Sequence, residues 1–171
     1  EGGTNRAIYL ANVLGLDMGM FYKRRDYTQI VNGRNPIVAH EFLGSSVEGK
    51  DVIIIDDMIS SGDSIIEVAT ELKRRKAKRI FAAATFGLFT NGLDKFDQAY
   101  EDGTISGILT TNLIYQTPEL LSRPYYINCD MSKYIALIID TLNHDGSISS
   151  ILSPDERIQH VLQKYKNGET I

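Results

Sequence analysis

Asp56 and Asp57 stand side by side, and Ser60, Ser61, Gly62, Asp63 and Ser64 follow within a few residues. Paired carboxylates accept hydrogen bonds from hydroxyl groups or hold a hydrated cation such as Mg²⁺. Small hydroxyl residues and a glycine let an anion approach the backbone closely, and the free N–H groups at a helix start bind phosphate. Acid beside an anion cradle is repulsive unless the ligand also carries hydroxyls or a metal ion, so a sugar phosphate meets both demands. One carboxylate and one serine alone are ordinary turn and cap chemistry. Two carboxylates, a run of small polar residues and a helix start, stacked at one strand end, favour a ligand site. The second candidate set is the basic triplet Lys23-Arg24-Arg25. A charge run is commonly a solvated turn, but the same cations suit a site where negative charge accumulates on a transferring phosphoryl group.

The elements that must position these residues follow from hydrophobic spacing. Val52 to Ile55 are apolar without alternation, which predicts a strand over 51–55 buried on both faces of a parallel sheet. A loop over 56–63 and a helix over 64–77 follow, with Ile65, Val68, Ala69 and Leu72 on one stripe. Upstream, a helix from Asn5 to Leu14 stops at Gly15, and a short strand covers Leu16 to Tyr22. The polar residues 23–36 form a long loop or projecting hairpin, and Pro36 to Leu43 returns as strand. Downstream come a strand at Ile80–Phe86, a helix at Leu93–Tyr100, a strand at Ile105–Thr110 and an edge strand at Tyr125–Asn128. Asp130 caps a helix over Met131–Asn143, and Ser153-Pro-Asp-Glu156 forms a capping box that opens a last helix to about Asn167. Strands alternating with helices predict an α/β fold with a mostly parallel central sheet flanked by helices. The length suits one domain over residues 1–171, with 144–171 as a C-terminal helical extension.

Bulk properties narrow the partners. The chain is 43% apolar and 23% charged with a net charge of −4, which argues against general attraction to nucleic acid or an anionic membrane. The local run Lys73–Arg79 lies at a helix end, where cations favour the helix dipole and solvent. Cys129 is the single cysteine, so no internal disulfide forms; this fits a reducing, cytoplasmic compartment, with Cys129 as a small packed residue rather than a nucleophile. His40, His144 and His160 lack metal-ligand spacing, and no apolar run reaches transmembrane length. Tyr125 and Tyr126 read as exposed apolar positions suited to a homo-oligomer interface. The opening Glu1-Gly-Gly-Thr-Asn-Arg6 reads as the interior of a longer protein.

Val52-Ile-Ile-Ile-Asp-Asp-Met-Ile-Ser-Ser-Gly-Asp-Ser64 resembles the ribose-phosphate-binding signature of the phosphoribosyl-diphosphate (PRPP) family. Type I phosphoribosyltransferases and ribose-phosphate diphosphokinases share that signature. Tyr22-Lys-Arg-Arg-Asp26 resembles the catalytic loop of the diphosphokinases, and Glu1–Arg6, Thr85-Phe-Gly-Leu-Phe89 and Thr111-Asn-Leu-Ile114 resemble further stretches of theirs. The resemblance runs from Glu1 to about Asn143 and corresponds to the C-terminal half of such an enzyme. It implies a type I phosphoribosyltransferase-like fold with a projecting catalytic loop or hairpin. It also implies transfer of a diphosphoryl group from MgATP to the 1-hydroxyl of ribose 5-phosphate, giving PRPP and AMP for nucleotide biosynthesis. On that reading Lys23 and Arg25 are the catalytic cations of a mobile loop, and Ser60, Ser61, Gly62, Asp63 and Ser64 hold the 5-phosphate. Asp56 and Asp57 take the ribose hydroxyls, directly or through water on Mg²⁺. The ATP site needs the N-terminal half, so the chain alone is expected to bind ribose 5-phosphate without turning it over. Three departures stand out: Ser60 where Asp is common, Asp63 where a small residue is usual, and a long 25–44 segment with Asn32-Gly-Arg34 as a hairpin tip. Asp63 is expected to point away from the phosphate. Two alternatives remain, a nucleobase phosphoribosyltransferase and a non-catalytic PRPP-sensing regulatory protein.

Overall fold

The computed structural model describes residues 3–25 and 37–169, apart from the side chains of 23–25, 37–40 and 150. Four strands lie parallel in the order β3 (Val52–Ile59), β4 (Ile80–Gly87), β5 (Gly107–Thr111) and β6 (Tyr126–Cys129). The register runs Ile54–Ala82–Ile108–Tyr126 across the sheet. On this face α2 (Asp63–Arg74) lays down Ile65, Ala69 and Leu72, and α3 (Asp94–Glu101) adds Phe96 and Ala99. These side chains close over Ile80, Ala82, Ala84 and Ile108 to make the core. The small alanines of β4 allow the helices to approach closely, and Phe96, with no exposed surface, fills the space at one end. The α2 stripe is the one its spacing predicts.

The other face of the sheet is thinly covered. Ile53 and Ile127 keep 49% and 45% of their surface exposed, so the two-faced burial expected of the Val52–Ile55 run does not occur. The reason is position: β3 is the edge of this sheet among the described residues. Helix α1 (Thr4–Leu14) lies against β3, and its N-terminal Gly3 comes so close that a Cβ there would sit 2.2 Å from the Ile55 carbonyl oxygen. Gly15 ends α1 in the left-handed region, as its type predicts.

A separate two-stranded antiparallel sheet pairs β1 (Met20–Arg25) with β2 (Ile37–Leu43), from Met20–Leu43 to Arg25–Ile37, with an irregularity at Arg24/Arg25. The basic triplet therefore lies on a paired strand, as in the hairpin and not the loop of the two forms expected. Main-chain pairing with β2 extends β1 through polar residues that hydrophobic spacing cannot assign. The two strands have the geometry of hairpin arms, while the Asn32-Gly-Arg34 tip falls outside the described residues.

Other expectations are redrawn by tertiary contacts. Tyr125 is 2% exposed and donates to Asp97, so it is not the exposed position expected, while the half-buried Tyr126 shares a 2.6 Å hydrogen bond with the buried Thr110. Helix α4 (Pro118–Leu121) is a single turn capped by Thr117, ahead of β6. Asp130 does cap the following helix, accepting from the Ser132 N–H at 2.9 Å, and α5 (Ser132–Asn143) carries the exposed Ile139 and Leu142. The C-terminal helices are α6 (Ser149–Leu152) and α7 (Asp155–Lys166). The capping box does not form there, since α7 starts behind Pro154 without a side-chain cap. Instead α7 returns to α1: the Tyr9 hydroxyl donates to Asp155, and Gln159 donates to the Val13 carbonyl at 3.3 Å. The basic run after α2 is matched by acids, Arg75 with Glu71 at 3.1 Å, Lys76 with Glu48 at 2.9 Å and Arg79 with Asp51 at 3.0 Å. No helix among the described residues is long and apolar enough to cross a membrane.

Candidate functional site

The strand does not stop at Ile55. Asp56 pairs with Ala84 and Met58 with Phe86, so both carboxylates belong to β3 itself and are held by the parallel ladder. Each spends part of its accepting capacity along the strand. Asp56 Oδ1 accepts from the Asp57 N–H at 2.8 Å, and Asp57 Oδ1 accepts from the Met58 N–H at 2.9 Å. A carboxylate has about four lone-pair sites, so each retains capacity for a ligand. Their environments split them. Burial pushes the Asp56 carboxyl above its ordinary value, and the neighbouring Asp57 adds to that. Asp57 is held below its ordinary value, first by a hydrogen bond from Asp56 and further by the Met58 N–H and the charge of Arg6. Asp57 is therefore the stronger acid of the pair, and Asp56 is the last of the two to give up its proton as pH rises.

Beyond Ile59 the chain turns through Ser60, Ser61 and Gly62 into α2. Gly62 has a φ of 83°, the left-handed region that a side chain opposes. Its missing Cβ would also fall 2.1 Å from Phe96 Cζ, so two constraints demand glycine here. The N-cap residue Gly62 has no side chain to cap α2; Ser61 Oγ accepts from the Asp63 N–H at 3.4 Å, and the next N–H groups of the first turn are left for the loop. Ser60 is braced from the segment after β4: its carbonyl accepts from the Thr90 N–H at 3.1 Å, and its hydroxyl lies 3.4 Å from Thr90 Oγ1. Ser61 donates to Asp63 Oδ2 at 2.9 Å, and Lys95 of α3 forms an ion pair with the same carboxylate. Lys95 first and Ser61 second hold the Asp63 carboxyl below its usual range, so it is anionic at neutral pH. Ser64 is exposed on the first turn of α2.

The structure thus gathers Asp56, Asp57, Ser60, Ser61, Gly62, Asp63 and Ser64 at the carboxyl end of one parallel strand, where open α/β sheets take their ligands. A groove of about 540 Å³ lies nearby between α2 and α3, but Asp63, Glu67, Asp94 and Asp102 line it against a single cation, Lys95, so it repels a phosphate. The strand end, with its uncapped helix, is the better anion site. Lys23 and Arg25 lie on β1 of the other sheet, with backbone positions opposite His40 and Ile37. Arg6, Thr90 and Lys95 are residues that the sequence alone does not single out. They reach the site from α1 and from the β4–α3 segment, and no local pattern marks them. A second polar cluster closes the ends of β5 and β6: Asn112 donates to Asp130 at 2.7 Å and accepts from the Met131 N–H at 2.8 Å. Burial raises the Cys129 thiol and so disfavours the nucleophilic thiolate. Among the described residues no three His, Cys, Asp or Glu groups converge as metal ligands.

The family model of the phosphoribosyl synthetase-associated domain matches residues 28–153. A ribose-phosphate pyrophosphokinase of Vibrio parahaemolyticus is 30% identical over 154 residues, covering 89% of this chain and 46% of that protein. The ribose-phosphate pyrophosphokinase of Thermococcus kodakarensis is 33% identical over 124 residues, 71% of this chain and 42% of its own. The chain spans about half the length of the curated relatives it matches. Among solved structures, phosphoribosylpyrophosphate synthetase from Mycobacterium smegmatis superposes with a TM-score of 0.67 at 22% identity, over 83% of this chain and 42% of that one. That likeness establishes the α/β fold with its parallel sheet.

Proposed function

Because the chain belongs to the phosphoribosyl synthetase-associated domain family, we propose that it is the ribose 5-phosphate-binding, C-terminal half of an enzyme making PRPP from ribose 5-phosphate and ATP. The observation that carries this reading is the end of β3, where two carboxylates of different acidity adjoin a glycine turn and a helix start with no N-cap side chain. Asp57 accepts hydrogen bonds from the ribose hydroxyls and Asp56 completes the pair. The Ser60–Ser64 loop and the first N–H groups of α2 receive the 5-phosphate. In the reaction the ribose 1-hydroxyl oxygen bonds to the β-phosphorus of ATP as that phosphorus parts from the oxygen bridging it to the α-phosphorus. AMP leaves, and the hydroxyl proton passes to solvent. Lys23 and Arg25 offset the charge that builds up on the transferring group, Lys as a compact point charge and Arg as a two-pronged donor.

The remaining lone pairs of Asp56 and Asp57 fit a hydrated Mg²⁺, which keeps most of its waters and leans on substrate phosphates. When bound, the ion neutralises phosphate charge. The other half of the enzyme supplies much of the ATP site on this reading.

The test is calorimetric titration of the chain with ribose 5-phosphate, with ribose and inorganic phosphate as separate probes. Ribose 5-phosphate binds and each fragment binds far more weakly, while Asp57→Ala lowers affinity by roughly tenfold, the loss of a charge-assisted hydrogen bond. Equal binding of ribose 5-phosphate and inorganic phosphate reduces the site to a general anion site and overturns the reading. In the full-length enzyme Lys23→Ala lowers kcat by about a hundredfold or more with little change in KM for ribose 5-phosphate. Release of diphosphate from PRPP on adding a nucleobase would instead identify a phosphoribosyltransferase.

A further inference from the structure

Asp63 occupies the first position of α2, at the mouth of the proposed phosphate loop, where a negative charge opposes a phosphate ester. An acid in the first turn of a helix ordinarily faces the free N–H groups of that turn, where the dipole favours it. The Asp63 carboxylate is drawn aside instead, held by Ser61 at 2.9 Å and by the Lys95 ammonium across the groove. Stability does not account for that ion pair. Its partners keep 53% and 62% of their side-chain surface in solvent, where such pairs contribute little. Lys95 is also badly placed for its own helix, since it stands in the first turn of α3, where the dipole disfavours a cation.

Resting on the reading of this loop as a phosphate site, we propose that Lys95 is a positioning residue of that site. It turns the Asp63 carboxylate away from the mouth of α2 and cancels its charge, so that the N–H groups there stay open to a phosphate dianion. Lys95 acts through Asp63 and makes no contact with the ligand. Without it, a full negative charge stands within several ångströms of the phosphate. Asp63 and Lys95 form a matched pair: losing the cation alone harms binding, and losing both charges does not.

The experiment is a double-mutant cycle in the intact chain, read as the dissociation constant for ribose 5-phosphate at low and high salt. Lys95→Met weakens binding by roughly tenfold at low salt, the size of an uncompensated charge facing a dianion through a largely aqueous medium, and by much less at high salt. Asp63→Ser, which removes the charge opposing the phosphate, tightens binding at low salt. Lys95→Met combined with Asp63→Ser returns to within about threefold of the unmutated chain, a rescue that purely structural damage would not show. Lys95→Gln repeats the test with a polar side chain should the methionine variant fold poorly. Unchanged affinity in Lys95→Met overturns the proposal while the phosphate reading stands. A double variant as weak as Lys95→Met also overturns it, because Lys95 would then be touching the phosphate itself. Failure of the unmutated chain to bind ribose 5-phosphate overturns both the site and this role.

Discussion

Replacing Gly62 by alanine tests the geometry of the loop most directly, because two separable costs fall on one methyl group. The first is conformational: at φ 83° an L-residue pays about 1–2 kcal/mol relative to its ordinary regions. The second is steric. The new Cβ would lie 2.1 Å from Phe96 Cζ and 2.8 Å from Cε1 and Cε2, well inside contact distance. The ring has little room to retreat, being wholly buried and set edge-on to Phe89 at 5.1 Å between centroids. Overpacking of this kind costs about 1–3 kcal/mol. Against both stands a gain of about 0.4–1 kcal/mol from the stiffer unfolded chain. The net expectation is a loss of about 2–4 kcal/mol, or roughly 4–15 °C in Tm for a domain of this size.

Gly15→Ala supplies the internal control. Gly15 has a φ of 65°, but nothing lies within 4 Å of where its methyl group would stand, so it bears the conformational cost without the clash. Urea denaturation of both variants isolates the steric part as their difference, about 1–3 kcal/mol. Equal destabilisation by the two substitutions would refute the packing of Phe96 beneath the loop. If the clash is real, Gly62→Ala also displaces the turn and weakens ribose 5-phosphate binding, whereas Gly15→Ala leaves binding intact.

Two further perturbations follow from the charged groups. Asp56 has a raised carboxyl, so its charge costs stability above that raised value and costs nothing below the ordinary 3.8; Asp56→Asn, which keeps the acceptor for the Asp57 N–H, therefore gains stability at neutral pH, loses the gain in acid, and weakens sugar binding. A variant less stable than the parent at neutral pH would contradict this. Asp97 has a lowered carboxyl, burial acting upward but outweighed by hydrogen bonds from Tyr125 and Arg123, so its contribution is present above the ordinary 3.8 and is lost as pH falls through the lower folded value. Tyr125→Phe removes the 2.6 Å bond to Asp97, costs about 1.5–3 kcal/mol near neutrality and flattens the acid limb of a Tm-against-pH curve; a parallel acid limb would show that Tyr125 does not set the Asp97 charge.

What could be read from the sequence was local and contiguous. The α2 stripe and the parallel strands are each encoded within about a dozen residues, so spacing and residue type located them, although β3 runs on through Asp56–Ile59 where a loop was expected. The failures share one cause, dependence on distant neighbours. Val52–Ile55 looks buried on two faces, but the sheet order puts it at an edge. Lys23 to Arg25 could be loop or hairpin arm by their polarity, and only pairing with β2 decides for strand. Tyr125 looks available to a partner, yet Asp97, on α3, has already taken its hydroxyl. Asp63 stood out in the sequence as a departure from the family pattern, while its ion pair with Lys95, 32 residues away, did not.

The loop's shape is set largely from behind, by residues 88–96. The Leu88 N–H closes on the Ile59 carbonyl at 2.8 Å, Thr90 holds Ser60, Lys95 holds Asp63, and Phe96 fixes the turn at Gly62. Each loop residue that departs from the resembled signature, Ser60 or Asp63, meets a partner in that same backing segment. The two departures are therefore better understood as halves of pairs than as losses from the site. A substitution at Thr90 or Lys95 should alter phosphate binding without touching the phosphate, and restoring the loop residue alone would not reproduce the usual site unless its partner changed with it.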